Sequence, residues 1–371
     1  MKYALGLIVF ITMLGFAGST FNGGCADTFG IKGYTKAWIY MYGSENHDPA
    51  NTFRAYNWTT FMARLNDSVF GCVGTQFKTW NGSSSLQVCD AFLNMNIVPE
   101  LSIKAGQFKI PFGWAFNSPG GAQCFLDRSA IAGTTEFANF GGRDIGLSIH
   151  GQFDMIGVDV AYFNGTGTYT DADSSNNKEF VALLTVKAAD WLTIAGGAAM
   201  TGQPKHDVVI PASIQISGDS VIVIPESTVT IEEWSATGID AYALVNYPLS
   251  DASKLVFQGE FLQTGYTGAQ PANGEWSSAM AYSAMLGVNF DLEDSFLAGI
   301  MPAVRYENLS PYEFVVTGAS AAKDNETVMD FAVNCFLTPA NTIQIGGRNF
   351  SFENENLDGY TDFYLGWRMN F

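Results

Sequence analysis

Hydrophobic and polar positions alternate along most of the chain, most plainly at its end. Between residues 359 and 371, Thr361, Phe363, Leu365, Trp367, Met369 and Phe371 share one parity, and Tyr360, Asp362, Tyr364, Gly366, Arg368 and Asn370 share the other. Alternation with period two belongs to a strand, whose successive side chains point to opposite faces. One of these faces suits hydrocarbon and the other suits water. Ala91, Leu93 and Met95 stand in the same relation to Asp90, Phe92 and Asn94, and Ile145, Leu147 and Ile149 to Asp144, Ser148 and His150. Segments of this kind predict sixteen strands, at 30–43, 54–66, 69–79, 88–96, 101–109, 143–153, 156–164, 177–187, 192–201, 233–246, 254–265, 277–290, 297–306, 327–337, 341–351 and 359–371.

The connections between these segments alternate too. Asn66-Asp67-Ser68, Val98-Pro99-Glu100, Asp154-Met155, Ala189-Asp190, 248–253, 292–295 and Pro339-Ala340 have the chemistry of tight reversals. Between them lie long polar connections such as 165–176, 202–232, 266–275 and 308–325, rich in Gly, Ser, Asn and Asp. An even number of strands joined in this way predicts an all-β fold, a transmembrane antiparallel β-barrel of 16 strands. Its tight turns and both termini are expected on the periplasmic side. Trp38, Tyr40, Tyr42, Trp58, Trp191, Tyr306 and Tyr360 fall near strand ends, where interfacial girdles would place them. Connection 110–142 is the longest, and a loop of that length is usually functional. Its Trp114, Phe116, Phe125, Phe137 and Phe140 suit packing against a barrel wall.

Lys2 is followed by an uncharged run from Tyr3 to Gly18, the order of a secretory signal peptide. Gly24 and Ala26 stand at −3 and −1 before Asp27, so residues 1–26 are expected to be removed, leaving 27–371 as one barrel domain. Acylation at Cys25 is disfavoured, because Asn22, Gly23 and Gly24 precede it in place of an aliphatic residue. Past residue 26 no apolar run reaches the 18 residues a membrane-spanning helix needs. A closed barrel is the other structure that satisfies its backbone in lipid. Charged residues are 15% of the chain, against about 25% in soluble domains, as expected if one face meets lipid.

Candidate chemistry is sparse. Cys72, Cys89, Cys124 and Cys335 match no zinc or redox spacing, and no metal, cofactor or disulfide is predicted. His47, His150 and His206 belong to no catalytic spacing, so no enzyme is expected. The acidic balance and the lack of a basic run exclude nucleic acid as a partner.

The most specific signal lies in residues 90–164. Asp90-Ala91-Phe92, then Gly106-Gln107-Phe108-Lys109-Ile110-Pro111-Phe112-Gly113, Asp127-Arg128-Ser129 and Gly142-Arg143-Asp144-Ile145-Gly146 occur in that order. Phe163-Asn164-Gly165 and Gln258-Gly259-Glu260-Phe261 follow further on. This order resembles the phosphate-selective porin O and P family. The resemblance implies a homotrimer of sixteen-stranded barrels in the bacterial cell outer membrane, surrounded by its lipid, each with a long third loop folded into the lumen. It also implies passive diffusion of small hydrophilic solutes or inorganic anions. Lys104, Lys109, Asp127, Arg128, Glu136 and Arg143 are the candidates for lining the constriction, since a cationic ring attracts anions at close range. Local pairing or anchoring of the loop is the other role open to Asp127 and Arg128.

Net charge complicates the anion expectation. Without residues 1–26 the chain has 17 basic and 36 acidic residues, a charge of −19. Residues 27–144 hold nine of each, so the acidic excess falls in 145–371. If Asp171, Asp173, Glu226, Glu232, Asp324, Glu353 and Glu355 sit in outer loops, the constriction stays locally cationic, and inward parity for Lys32, Lys36, Arg64 and Lys104 supports that. A general or weakly cation-preferring pore is the competing expectation. The alternative to any channel is a non-conducting structural or adhesive barrel, with 202–232 as a protruding hairpin.

Overall fold

The computed structural model describes residues 20–23, 26–43, 51–80, 83–133, 140–167, 178–203, 205–210, 213–217, 220–224, 227–231, 233–268, 274–276, 278–293, 295–310, 313–316, 319–322, 325–353 and 358–371. Sixteen antiparallel strands form the barrel. They are β1 (Ala26–Met41), β2 (Asn51–Arg64), β3 (Val69–Trp80), β4 (Ser83–Val98), β5 (Leu101–Lys109), β6 (Arg143–Phe153), β7 (Ile156–Phe163) and β8 (Glu179–Ala189). The second half holds β9 (Leu192–Gln203), β10 (Trp234–Ser250), β11 (Ser253–Gly268), β12 (Ser278–Asp291), β13 (Gly299–Ser310), β14 (Glu326–Thr338), β15 (Asn341–Phe352) and β16 (Tyr360–Asn370). Each strand pairs with the next in the chain, and β1 returns to pair with β16 from Tyr34↔Asn370 to Met41↔Phe363. Closure of this kind leaves no free sheet edge. The terminal Phe371 completes the seam, exchanging backbone hydrogen bonds of 2.7 and 2.9 Å with Gly33.

All sixteen expected strands are present, and the sharpest boundary difference is instructive. β4 begins at Ser83 instead of residue 88, because Ser83, Ser84 and Ser85 continue the backbone ladder opposite Trp80, Thr79 and Lys78. Those serines carry no alternation for a pattern to detect. The tight turns fall where expected, and their side chains supply the reason. Asn66 Oδ1 accepts the N–H groups of Ser68 and Val69, both at 2.8 Å, and Asp154 takes the positive φ of 52° that its reversal requires. Thr20–Gly23, inside the stretch read as a signal peptide, pairs with the start of β1. In the long connections, His206–Ile210 pairs with Ser227–Ile231 and Ser213–Ser217 with Ser220–Ile224, so region 202–232 does contain hairpin pairing. Glu313–Val316 pairs with both Gly274–Trp276 and Ala319–Ala322.

Burial follows the predicted parity. Leu93, Met95, Leu147, Ile149, Phe363, Leu365 and Trp367 are exposed on the outer face, while Asn94, Asp144, Ser148, Asp362 and Arg368 are buried on the inner one. The inner wall is partly apolar where connection 110–142 meets it. Phe112, Ile131 and Phe140 of that connection are wholly buried, in one cluster with Ala161, Ala199, Ala236, Ala279 and Ala281. Small wall residues leave room for large loop residues, and each such side chain contributes about 1.5–3 kcal/mol on burial. Phe116, Phe125 and Phe140 are buried as their sequence suggested, whereas Phe137 lies outside the described residues.

Candidate functional site

Connection 110–142 carries a dense set of polar contacts to the inner wall, sorted by backbone polarity. Its short helix α1 (Trp114–Asn117) begins beside Glu260 of β11, whose two oxygens accept the Ala115 N–H at 2.9 and 3.1 Å. A carboxylate there satisfies a donor that a helix start leaves unpaired. Gln258, two residues earlier on the same face, accepts the Trp114 indole N–H at 3.2 Å. Glu307 of β13 accepts the Ala130 N–H at 2.9 Å and the Ser129 hydroxyl. These acids sit on the wall that faces loop N–H groups.

The wall also presents donors to loop carbonyls. Lys36 Nζ donates to Leu126 O at 3.0 Å and Arg368 Nη1 to Gln123 O at 2.6 Å. Asn334 reaches Cys124 O at 3.0 Å and Gln344 reaches Gln123 O at 3.1 Å. Arg305 and Arg348 both donate through Nη2 to Arg128 O, at 3.2 and 2.7 Å, and Asp330 lies between them at 2.6 and 2.7 Å. Buried backbone groups need partners, and here strands far apart in sequence supply them.

The motifs quoted above meet at the ends of this connection. Gly106 has φ +126°, and a Cβ there would stand 2.3 Å from Ala91 O, so only glycine fits. Gly113, at φ +71°, turns the chain into α1. Asp90 pairs with Arg143 at 2.6 Å, and the Arg143 guanidinium lies 4.6 Å from the Trp58 ring centre. Asp144 accepts the N–H groups of Gly165 and Thr166 at 2.7 and 3.2 Å.

Beside the connection is an open cavity of about 600 Å³. Its wall carries the basic side chains of Lys32, Lys109, Arg128 and Arg143 and, among the described residues, one acidic side chain, Asp90, with Tyr34, Tyr56 and Trp58 between them. Lys109 Nζ donates to Phe116 O at 2.9 Å, and Arg128 Nη1 to Ser118 O at 2.9 Å. Both cations therefore rest on neutral acceptors. Among the described residues Lys32, Lys109 and Arg128 have no ion-pair partner. Burial pushes the Arg128 guanidinium below its ordinary value, yet a guanidinium stays protonated in proteins. A second, smaller cavity of about 180 Å³ separates the connection from β11–β13, with Trp114, Phe125, Glu260 and Arg305 in its wall.

Of the six residues singled out by sequence, Lys109, Arg128 and Arg143 share the larger cavity. Lys104 is outside its lining, with Nζ 5.2 and 5.1 Å from the Phe92 and Phe108 ring centres. Asp127 is half-buried in the connection, where its charge acts on Lys36 and Arg348 and it does not line the cavity. Glu136 lies outside the described residues. Sequence reasoning missed Tyr34 and Tyr56 as cavity residues, and Glu307 and Asp330 as anchors. Lys32 was legible as inward by parity, and Glu260 stood in a quoted motif without a role.

No protein-family profile matches the chain, and no curated protein matches it. Solved structures do. OmpT of Vibrio cholerae is 11% identical with a TM-score of 0.58, covering 95% of this chain and 100% of its own. OprB of Pseudomonas putida is 9% identical with a TM-score of 0.61, covering 92% and 94%. An anion-selective porin from Comamonas acidovorans is 12% identical with a TM-score of 0.58, covering 92% and 99%. At such identities the likeness establishes the fold, a closed sixteen-stranded antiparallel barrel of the outer-membrane porin kind.

Proposed function

We propose that this chain is an outer-membrane porin, a passive diffusion channel for small hydrophilic solutes, in which connection 110–142 narrows the lumen and the larger cavity beside it is the route. The observation that carries this reading is the cavity wall, four basic side chains against one acidic side chain among the described residues, inside a barrel whose outer face is apolar. It favours anions, phosphate among them, in keeping with the resemblance to the phosphate-selective porin O and P family. The charge of −19 does not oppose it. Glu260 and Glu307 are occupied by loop N–H groups, and Asp330 by two arginines. Acids on loops more than a Debye length away, about 8 Å in physiological salt, are screened from the cavity.

Residues 1–26 are proposed as the export signal, with the tight turns facing the periplasm. A homotrimer is the proposed assembly, and a trimer form is described for Vibrio cholerae OmpT. On the outer parity of β1 and β2, half-buried Asn57 donates to half-buried Thr35 at 2.9 Å. A polar pair at that position suits a subunit contact better than lipid. Cross-linking of purified protein in detergent tests it, with a single band at monomer mass as the refuting result.

Single-channel recording in a planar bilayer under a salt gradient tests the channel itself. Discrete conductance steps with an anion-directed reversal potential, and block by added phosphate, are expected. Absence of conductance would refute the porin and favour a structural barrel displaying the 206–231 hairpin.

A further inference from the structure

The larger cavity holds more than an inorganic anion requires. Tyr34 and Tyr56 stack across β1 and β2 with ring centres 5.5 Å apart and planes 20° apart. The Tyr56 hydroxyl donates to Gln76 Oε1 at 3.1 Å, and the Trp58 indole N–H donates to Thr60 at 3.0 Å, which hold both rings in place. Tyr34 and Trp58 are half-buried: the Tyr34 ring rests on Gly120 and Gly121 of the connection, the Trp58 ring lies against Gly74 and the Arg143 guanidinium, and both rings are part of the cavity wall. Trp38 and Tyr40 on the same face pack with Leu126 of the connection, and Tyr56 bridges that cluster and the cavity wall.

Charge and rings therefore converge on one space. Lys109 and Arg128 bring positive charge with no carboxylate partner among the described residues, while Tyr34 and Tyr56 present ordered aromatic surface beside them. A volume of about 600 Å³ lies within the range of small-molecule sites, roughly 300–1,000 Å³. We infer that this cavity is a binding site for small organic anions that carry a carboxylate or phosphate on a flat ring, the anionic group held by Lys109 and Arg128 and the ring laid against Tyr34 and Tyr56. The inference rests on the channel reading and narrows it. Ring stacking adds affinity beyond charge, so such a solute lingers where chloride passes.

Block of chloride current through the full chain in a planar bilayer tests it. Benzoate is compared with acetate, and phenyl phosphate with inorganic phosphate, at one pH and ionic strength. The ring-bearing member of each pair is expected to reach half-block at about a five- to tenfold lower concentration. Tyr34→Leu is expected to shrink that ratio to below about twofold, and Tyr34→Phe to retain it. Because the ratio is taken within one channel, it does not depend on the variant's own conductance. Equal block by benzoate and acetate in an anion-selective wild-type channel would overturn the ring site alone. A silent or cation-selective channel would overturn the channel reading and this site with it.

Discussion

Asp330→Asn isolates the charge cluster that holds the connection against β13–β15. The Asp330 carboxylate is 1% exposed and accepts four hydrogen bonds, from Arg305 Nε and Nη2 at 2.9 and 2.6 Å and from Arg348 Nε and Nη2 at 2.7 and 3.2 Å. Asparagine keeps the shape, removes the charge and places an NH₂ where an acceptor stood. Among the described residues the two buried guanidiniums then keep, as charge compensation, only Glu307 Oε2, 3.4 Å from Arg305 Nε, and the more distant charge of Asp127 acting on Arg348. Removing one partner of a buried ionic cluster costs about 3–5 kcal/mol. The assay is urea unfolding of the detergent-solubilised barrel followed by tryptophan fluorescence, with a lower midpoint expected. Open-channel current noise should also rise, because Arg305 and Arg348 both hold Arg128 O. The triple variant Arg305→Met, Asp330→Leu, Arg348→Met removes every charge at once and is expected to lie closer to wild type. An unchanged midpoint for Asp330→Asn would refute the reasoning.

Three further outcomes follow from the same geometry. Leu365→Arg puts a cation on the exposed apolar face of β16 and should cost about 2–4 kcal/mol in bilayers, read as a loss of folded, heat-modifiable barrel on gels; normal folding would contradict a lipid-facing parity. Arg143→Gln leaves Asp90 unpaired in the cavity and should move the reversal potential toward cations, while Asp90→Asn should move it further toward anions; shifts of the same sign would be inconsistent with the pair. Burial pushes the Cys124 thiol above its ordinary value, so less thiolate is present at pH 8 than in a free cysteine. In a variant with Cys124 as its one cysteine, maleimide should therefore label native protein slowly and urea-unfolded protein fast, with equal rates counting against a shielded, half-buried Cys124.

Strand count, parity and tight turns were legible in the sequence because each depends on neighbours within a few residues. Period two decides which face Leu365 and Arg368 take, and Asn66 makes its turn with Ser68 and Val69 alone. The aromatic character of 110–142 likewise announced that it would pack, as Phe140 does. What the connection packs against was not legible. Glu260 reaches Ala115 across 145 positions and Arg348 reaches Arg128 O across 220, contacts that exist only once the sheet has closed. Parity could say that Lys32 and Lys104 both point inward, but not their depth. Closure puts Lys32 in the cavity wall and leaves Lys104 over Phe92 and Phe108. The acidic excess could not be placed from the sequence for the same reason, since a count of carboxylates does not reveal which are already held by loop N–H groups, as Glu260 is, or by arginines, as Asp330 is. Alternation along the chain thus determined the barrel by itself, while the lining of its cavity was decided by the closed tertiary structure, because only closure brings distant inner-face side chains together around one loop.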